Sequence, residues 1–514
     1  MSGPSKATQL VELALERYRL GCSTDGAAFA VEVDGPNVAL SLRGRGGLRS
    51  ALAADYYGVA FEAPGQNALS EAMQVLEGRA MAADREPVAI RMAAHDGAVV
   101  VDLGRADGQV TVVRPGTWSV VARSPVLFRS TEAVGELPLP IPGGTPGALP
   151  ELQELLNVPA DDWPVIVAFL VAALMADLAH PVLFLSGEQG TAKSWAARVL
   201  VRTFDGSQTD VQSAPRNEDD WAVVASSAWS VALDNVSKID PWLSDAICRA
   251  ATGAMWRKRA LFTDDAVSIL RVKRVVVLNG IDPEITRGDL AERLIRVDLD
   301  PIRTRRTDEE IEAAFGHIHP RILGTLFDLA AQVLAVLPSI EVERPPRMAS
   351  FAKVVAAVDQ CLATQGLKRY CAMVQSQVAQ AAEGDLFAQA LDRFLTASTS
   401  GEWEGAASDL LRDLRTFDAE RRDELPKTPQ AVGSALSRVA TPLRARGWTV
   451  KRGRGAARRW TIRRGNQGEI GVVGVEASTD CDTLDARDAS FLPIPPDAEL
   501  FDEPAWVPDE EDLR

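Results

Sequence analysis

The 514-residue chain has few of the residues from which metal sites and disulfide frameworks are built. It contains five cysteines and four histidines, and no two cysteines stand in a CxxC pair. Scattered cysteines argue against a zinc site or a disulfide framework and suit a reducing cytoplasm, where we expect the protein to reside. The N-terminus also lacks a basic segment followed by an apolar core, so we predict no secretory signal.

Long hydrophobic runs are scarce as well. The longest, Val165 to Ala176, stops at Asp177 and is too short to cross a bilayer. We therefore expect no membrane association. With 46% hydrophobic and 25% charged residues, the composition is that of a globular protein, and the length predicts several domains.

The formal net charge of −16 is unevenly distributed along the chain. Residues 466–514 contain fourteen Asp/Glu and two Arg, which predicts an acidic, disordered tail. Residues 437–464, directly before it, contain ten Lys/Arg and no acidic residue. This reversal favours a nucleic-acid-binding unit next to a tail that competes for the same basic surface.

A glycine-rich segment follows an apolar run in the middle of the chain. Residues 184 to 194 read Phe-Leu-Ser-Gly-Glu-Gln-Gly-Thr-Ala-Lys-Ser. The order predicts a P-loop, in which a strand leads into a loop whose backbone N–H groups wrap nucleotide phosphates at a helix N-terminus. The predicted ATP-binding residues are Gly187, Glu188, Gln189, Gly190, Thr191, Ala192, Lys193 and Ser194.

Two side chains of this segment have predicted roles, and one departs from the motif. Lys193 would reach the β- and γ-phosphates of ATP, and Ser194 would hold Mg²⁺. Ala192 stands where the motif has glycine; alanine asks for a negative φ and brings a methyl group close to the ligand. A glycine-rich turn without function is the alternative.

Two later apolar strands end in polar residues at spacings that suit the same site. Ser230-Val-Ala-Leu-Asp234 has the form of a Walker B strand, whose acid would bind Mg²⁺ through water. Asn235 follows, where many ATPases have a carboxylate that polarises the attacking water. An amide orients water but accepts no proton, so either hydrolysis is slow or another carboxylate (Asp240, Asp264 or Asp265) contributes.

The second of these strands, Val275-Val-Val-Leu-Asn279, would place the amide of Asn279 near the γ-phosphate in a sensor role. Buried strands that end in a cap or a turn are the structural alternatives for Asp234 and Asn279.

Basic residues at three places suggest contacts with phosphate. Arg293 follows a short predicted helix and would reach the γ-phosphate of a neighbouring subunit in a ring, with Arg287 as its rival and a surface salt bridge as the alternative. Residues 256–271 predict a hairpin whose Arg257, Lys258 and Arg259 would contact a nucleic-acid backbone; a solvated hairpin is the alternative.

The third place is the basic C-terminal unit. Thr428 and Pro429 predict a helix start, and Val432, Leu436 and Val439 share one face of that helix. Two short strands around a Gly/Arg turn follow, so the unit has the layout of a winged helix. The predicted DNA contacts there are Arg438, Lys451, Arg452, Arg454, Arg458 and Arg459, and the alternative is a basic surface patch.

The overall pattern predicts an α/β protein with five parts. An α+β N-terminal domain of unknown role (1–145), with an antiparallel meander over 88–129, precedes a P-loop domain with a parallel sheet (150–305). A helical region (306–385), a winged-helix-like DNA-binding domain (386–465) and the acidic tail (466–514) follow.

The order of P-loop, Walker B strand, hairpin and sensor strand resembles that of the AAA+ ATPases. The inserted hairpin resembles the superfamily 3 and D5-like helicases, and the run from Leu233 to Leu299 is similar to actinobacterial phage and prophage ATP-binding proteins. The resemblance implies an ATP- and Mg²⁺-dependent, helicase-like motor that works on single-stranded or duplex DNA during replication of a phage or mobile element. It also implies a homo-oligomer such as a hexameric ring.

Asn235 departs from the acidic pair that is usual in these helicases. A nucleotide-switched DNA-binding or helicase-loader protein with little ATP turnover is therefore the main alternative. A scaffold with a vestigial P-loop is the other.

Overall fold

The computed structural model describes most of the chain up to Arg464. The described residues are 4–44, 46–129, 131, 133–144, 146–207, 211–259, 267–281, 287–302, 305–384, 386–398, 401–418, 425–445, 448–453 and 459–464. The predicted acidic tail, 466–514, lies outside them.

The N-terminal region is rich in strands. Three helices pack through Leu10, Leu52 and Leu76 into one apolar cluster beside a six-stranded sheet. The sheet has the order β4-β1-β2-β3-β10-β5. The elements are α1 (Lys6–Arg17), β1 (Tyr18–Ser23), β2 (Ala28–Glu32), β3 (Val38–Ser41), α2 (Leu48–Ala60), α3 (Gln66–Met81), β4 (Arg85–Glu86), β5 (Val88–Ala89) and, after the meander, β10 (Leu127–Arg129).

The antiparallel meander predicted over 88–129 is confirmed for Met92 to Val121, whereas β5 and β10 at its two ends pair with each other in the six-stranded sheet. Its strands, β6 (Met92–His95), β7 (Ala98–Asp102), β8 (Val110–Arg114) and β9 (Thr117–Val121), pair in chain order. The turns between them contain Gly97, Gly108 and Gly116, each at a positive φ that glycine adopts at little cost.

The predicted parallel sheet is also confirmed. It has the order β12-β13-β16-β11-β17 with all neighbours parallel. The elements of this region are α4 (Leu149–Leu156), α5 (Trp163–Ala173), β11 (Val182–Ser186), α6 (Lys193–Phe204), β12 (Gln212–Ser213), α7 (Glu218–Ser227), β13 (Ser230–Asp234), α8 (Pro241–Thr252), β14 (Met255–Arg259), β15 (Val267–Arg271), β16 (Val275–Asn279), α9 (Gly288–Ala291) and β17 (Leu294–Asp298). Strands β14 and β15 form the predicted hairpin.

Helices follow the sheet: α10 (Asp308–Val336), α11 (Ala349–Leu362) and α12 (Gly366–Gly384). A capping box between Thr307 and Glu310 starts α10. In the described part of the chain, one helix, α10 with the short turn after it, is long and apolar enough to cross a membrane. Of its most apolar 18 residues, 56% are buried inside the protein. Such burial is typical of the core helix of a globular fold.

The C-terminal unit has its own core. It consists of α13 (Leu386–Ala397), β18 (Glu402–Ala406), α14 (Ala407–Phe417), α15 (Pro429–Ala445), β19 (Trp448–Arg452) and β20 (Arg459–Arg464), with an antiparallel sheet of order β18-β20-β19. Thr428 Oγ1 accepts from Ala431 N, so Thr428 caps α15 as predicted. Val432, Leu436 and Val439 face the core as predicted.

One apolar core crosses the predicted boundaries near residues 145 and 305. Val101 and Val113 of the meander belong to the same cluster as Phe169 of α5, Leu200 of α6 and Leu323 of α10. Hydrogen bonds reinforce this packing, since Trp118 Nε1 donates to Asp328 Oδ1 over 2.7 Å. The meander therefore packs on α10 as part of the core that it shares with the P-loop region, and the domain boundaries stay a prediction.

Candidate functional site

The candidate nucleotide site lies at the carboxyl edge of the parallel sheet. Parallel register brings the ends of three predicted strands together: Leu185 stands opposite Asn279, and Leu233 stands opposite Leu278. The loop after β11 therefore lies beside the ends of β16 and β13. Ligands of open parallel sheets bind at such carboxyl edges.

The backbone of residues 187–192 adopts three left-handed conformations. Gly187 and Gly190 have φ values of +148° and +87°, and Ala192 has φ +57° and ψ 33°. Our expectation of a negative φ at Ala192 is therefore wrong. The loop keeps the backbone that glycine favours, and the alanine methyl group costs about 1–2 kcal/mol there.

Lys193 begins α6 and folds back over the loop. Its Nζ donates to Gly187 O over 2.9 Å and to Glu188 O over 2.7 Å. Burial lowers the pKa of Lys193, and the charge of Asp234 partly opposes this shift. The ammonium group thus lies inside the loop, between its carbonyl groups and the end of the Walker B strand.

The two predicted Mg²⁺ ligands are in direct contact. Ser194 Oγ donates to Asp234 Oδ1 over 2.7 Å. A hydroxyl and a carboxylate at this separation are hard oxygen donors of the kind that Mg²⁺ binds beside nucleotide phosphates. These residues are 40 positions apart in the sequence and come from α6 and β13.

Asn279 is tied to the turn that follows the Walker B strand. Its Oδ1 accepts from Asn235 N over 2.9 Å, and its backbone O accepts from Val236 N over 2.8 Å. Because Oδ1 faces a backbone N–H, the amide orientation is fixed. Asn279 is 1% exposed, and its Nδ2 has no partner within the described residues. A buried donor of this kind suits an anion or a water at the site.

Asn235 has a conformational reason to be an asparagine. It lies in the left-handed region at φ +50°, and its side chain is exposed. Asn and Asp tolerate this region better than other residues that have a Cβ. Of the other candidate carboxylates, Asp240 precedes α8 and pairs with Lys238 over 2.9 Å. Asp264 and Asp265 lie outside the described residues.

The structure does not bring Arg293 to the P-loop of its own chain. Arg293 O accepts from Val182 N at the start of β11, at the opposite edge of the sheet. Its side chain is 11% exposed and pairs with Asp289 over 2.6 Å. Arg287 pairs with Asp245 over 2.7 Å. A role for either arginine in a neighbouring subunit stays a prediction.

The predicted DNA contacts are described only in part. Lys451, Arg452 and Arg459 are exposed, and Arg459 pairs with Glu404 over 3.4 Å. The backbone of Arg257, Lys258 and Arg259 forms β14, but their side chains lie outside the described part, as does that of Arg438. Arg454 and Arg458 lie outside it entirely.

The helix of this unit that would enter a groove of DNA, α15, lies close to α12 and α9. Its residues Gln430, Ser434 and Ser437 are exposed. Within the described residues, no other helix therefore covers this side of the first turns of α15.

The sequence interpretation missed residues that the fold brings to the same edge. Asp298, at the end of β17, accepts from Ser186 Oγ and from Arg296 Nε. Arg305 lies against Gly190 at the tip of the loop. The one sequence signal for Arg305 is the cluster of arginines at 303–306. This signal points to the nucleotide site only when the strand order shows that β17 lies beside the P-loop strand.

Two family models match the chain. Residues 151–379 match the model described as "Actinomycete integrative conjugative element replication protein", and residues 387–478 match the "AICE RepA C-terminal domain". The two ranges together cover more than half of the chain. The predicted replication role in a phage or mobile element is thus confirmed for a mobile element, an integrative conjugative element of an actinomycete. Among curated proteins, none matches this chain.

Solved structures align along most of the chain at low similarity. The apo C-terminal region of NrS-1 is 12% identical, with a TM-score of 0.39 over 90% of this chain and 100% of that one. "SCCmec type IV Cch - active helicase" is 11% identical, with a TM-score of 0.40 over 88% of this chain and 94% of that one. The JCV helicase is 13% identical, with a TM-score of 0.22 over 46% of this chain and 64% of that one.

Proposed function

We propose that this chain, which belongs to the replication proteins of actinomycete integrative conjugative elements, is an ATP-driven motor of the helicase type that acts on DNA. The observation that carries the proposal is the meeting of Lys193, Ser194, Asp234 and Asn279 at one edge of the parallel sheet. These residues supply a cation, a pair of Mg²⁺ ligands and a buried amide donor. Phosphoryl transfer needs this positioning and charge stabilisation.

Each residue has a part in the proposed reaction. Lys193 would neutralise charge on the phosphates, and Ser194 and Asp234 would hold Mg²⁺, whose charge would stabilise the phosphates. Asn279 would donate through Nδ2 to the γ-phosphate or to the attacking water, while its Oδ1 accepts from Asn235 N. The turn after the Walker B strand is therefore positioned by the sensor residue.

The C-terminal unit supports the DNA-binding part of the proposal. Its elements follow the order helix, strand, helix, helix and two strands, and the first strand pairs with the last. This arrangement is that of a winged helix, in which Lys451 and Arg452 lie at the base of the wing. Both side chains are exposed, and neither has an ion pair within the described residues, although the guanidinium group of Arg452 lies 5.7 Å from the ring centre of Trp460. Both could therefore contact phosphate groups.

A ring of subunits in the cytoplasm is part of the proposal. Arg293 lies at the edge of the sheet opposite to its own P-loop, so it would act on nucleotide only in a neighbouring subunit. DNA and ATP are both available in the cytoplasm of a bacterium. Mass measurement by light scattering, with and without ATP and DNA, tests the assembly.

The alternative is a nucleotide-switched loader that binds ATP and hydrolyses little of it. The amide at Asn235 favours this alternative, because no carboxylate follows Asp234 and Asp240 pairs with Lys238. ATP binding would then change the affinity for DNA without repeated turnover.

Steady-state hydrolysis with and without single-stranded DNA separates these functions. We expect DNA-stimulated turnover in the wild type and its loss in Lys193→Ala, while Lys353→Ala, on an exposed position of α11, leaves it unchanged. Binding of ATP without turnover would favour the loader. Absence of ATP binding by the wild type would refute both.

A further inference from the structure

Residues before and after the P-loop's neighbouring segment, Leu299 and Asp308, contact the loop's strand and helix. After β17, Leu299 N donates to Ser186 O over 2.8 Å, and Leu299 O lies 3.4 Å from where a Cβ on Gly187 would be. At the start of α10, Asp308 Oδ1 accepts from Trp195 Nε1 of α6 over 2.8 Å. Leu299 and Asp308 are thus attached on the two sides of the phosphate loop.

Arg305 lies between these two attachments. Its Nη2 is 3.9 Å from the position of a Cβ on Gly190, and in the described part of the chain no other heavy atom outside the immediate chain neighbours of Gly190 lies within 4 Å of that point. The side chain is exposed and makes no ion pair within the described residues. The guanidinium group is therefore accessible at the tip of the loop.

Gly190 is a place where a phosphate group would come close to the backbone. Its left-handed φ of +87° belongs to a loop whose N–H groups are available to an anion. The ammonium group of Lys193 lies at the other side of this loop, on the carbonyl groups of Gly187 and Glu188. A guanidinium group at the tip would add a planar pair of donors that matches phosphate oxygens.

We infer that Arg305 binds the terminal phosphates of the nucleotide held by the P-loop of the same chain. The inference rests on the proposed function, and it adds a second cation that the P-loop motif does not contain. The contact would favour a triphosphate over a diphosphate, since the additional negative charge lies where the guanidinium group reaches. Arg305 would thus help the site to distinguish ATP from ADP.

The matched control is the neighbouring residue. Arg306 has the same charge and is also exposed, but it is not among the atoms near Gly190. We expect Arg305→Ala to weaken binding of a fluorescent ATP analogue about 10- to 100-fold, with a smaller effect on the ADP analogue. Arg305→Lys should recover part of the affinity, and Arg306→Ala should bind like the wild type.

The same titration with Lys193→Ala separates the two proposals. If Arg305→Ala bound the ATP analogue with wild-type affinity and Lys193→Ala did not bind it, the role of Arg305 would be refuted and the nucleotide site would stand. Unchanged binding in Lys193→Ala would overturn the nucleotide site itself. If Arg305→Ala and Arg306→Ala weakened binding of the ATP analogue equally, the loss would come from general surface charge. That result would also refute the specific contact of Arg305. Because both arginines are exposed, the variants should keep the wild-type thermal unfolding midpoint.

Discussion

Replacement of Arg91 should strongly destabilise the fold, although this residue lies outside the nucleotide site. It is fully buried, and its Nε lies 3.1 Å from Asp205 Oδ1 at the end of the P-loop helix. Nη1 donates to Asp102 O over 2.8 Å, and Nη2 donates to Gly135 O. Asp205 in turn accepts from the backbone N and the Oγ of Ser230, where the Walker B strand begins. One guanidinium group therefore joins the meander to two elements of the site.

The expected cost of Arg91→Met follows from what the change leaves behind. Methionine fills much of the volume, but Asp205 keeps a buried negative charge without the guanidinium group that contacts it, and two buried carbonyl groups lose their donors; Ser230 and the charge of Arg274 compensate Asp205 only in part. Breaking a buried pair from one side costs about 3–5 kcal/mol. The left-handed φ of +62° at Arg91 is retained, so no strain is relieved. The loss is a large share of the roughly 5–15 kcal/mol by which proteins are stable.

Urea unfolding followed by tryptophan fluorescence measures this loss. Arg105→Met is the matched control, because Arg105 also lies in the meander but forms its ion pairs with Asp107 and Glu136 at the surface. Its replacement should cost less than about 1 kcal/mol. Adding Asp205→Asn to Arg91→Met removes the stranded charge and should restore part of the stability. Equal midpoints for Arg91→Met and Arg105→Met would refute the reasoning.

Three further changes test the site and the core. Asn235→Asp suits the left-handed backbone and should raise ATP turnover by at least about 10-fold if that position faces the attacking water. Unchanged phosphate release in the folded variant would move the search to other carboxylates. Ala192→Gly should relieve the strain at φ +57° and raise stability by about 1 kcal/mol in urea unfolding; a lower midpoint would contradict this. Burial lowers the pKa of His180 to about 3 and that of His319 to about 4, so the folded protein binds fewer protons than the unfolded chain below about pH 6.5, and stability should fall by about 2 kcal/mol for each histidine towards pH 5. His180→Leu should therefore remove about half of this dependence, whereas His95→Leu, at an exposed position, should retain it.

Local sequence patterns predicted the three strands that form the nucleotide site. The apolar composition of the segments that end in Ser186, Asp234 and Asn279 predicts strands, and parallel pairing brings the ends of these strands together. Contacts between distant side chains have no such signal. Arg91 and Asp205 are 114 positions apart, and nothing near either residue predicts a pair. The sequence interpretation missed Arg305 for the same reason. Its position beside Gly190 depends on the path of the chain after β17, which the local sequence does not reveal.

The two departures from the P-loop ATPase pattern have one backbone cause and different consequences. Ala192 and Asn235 both lie in the left-handed region, at φ +57° and +50°. At position 192 the alanine keeps the loop geometry and adds strain, and such strain persists only where the surroundings fix the conformation. At position 235 asparagine adopts the left-handed conformation more easily, but its amide, unlike a carboxylate, cannot accept a proton. The first departure should therefore change stability and leave the chemistry largely intact, whereas the second should change the rate of hydrolysis with little effect on the fold. A chain in which Ala192→Gly altered turnover more than Asn235→Asp would contradict this assignment.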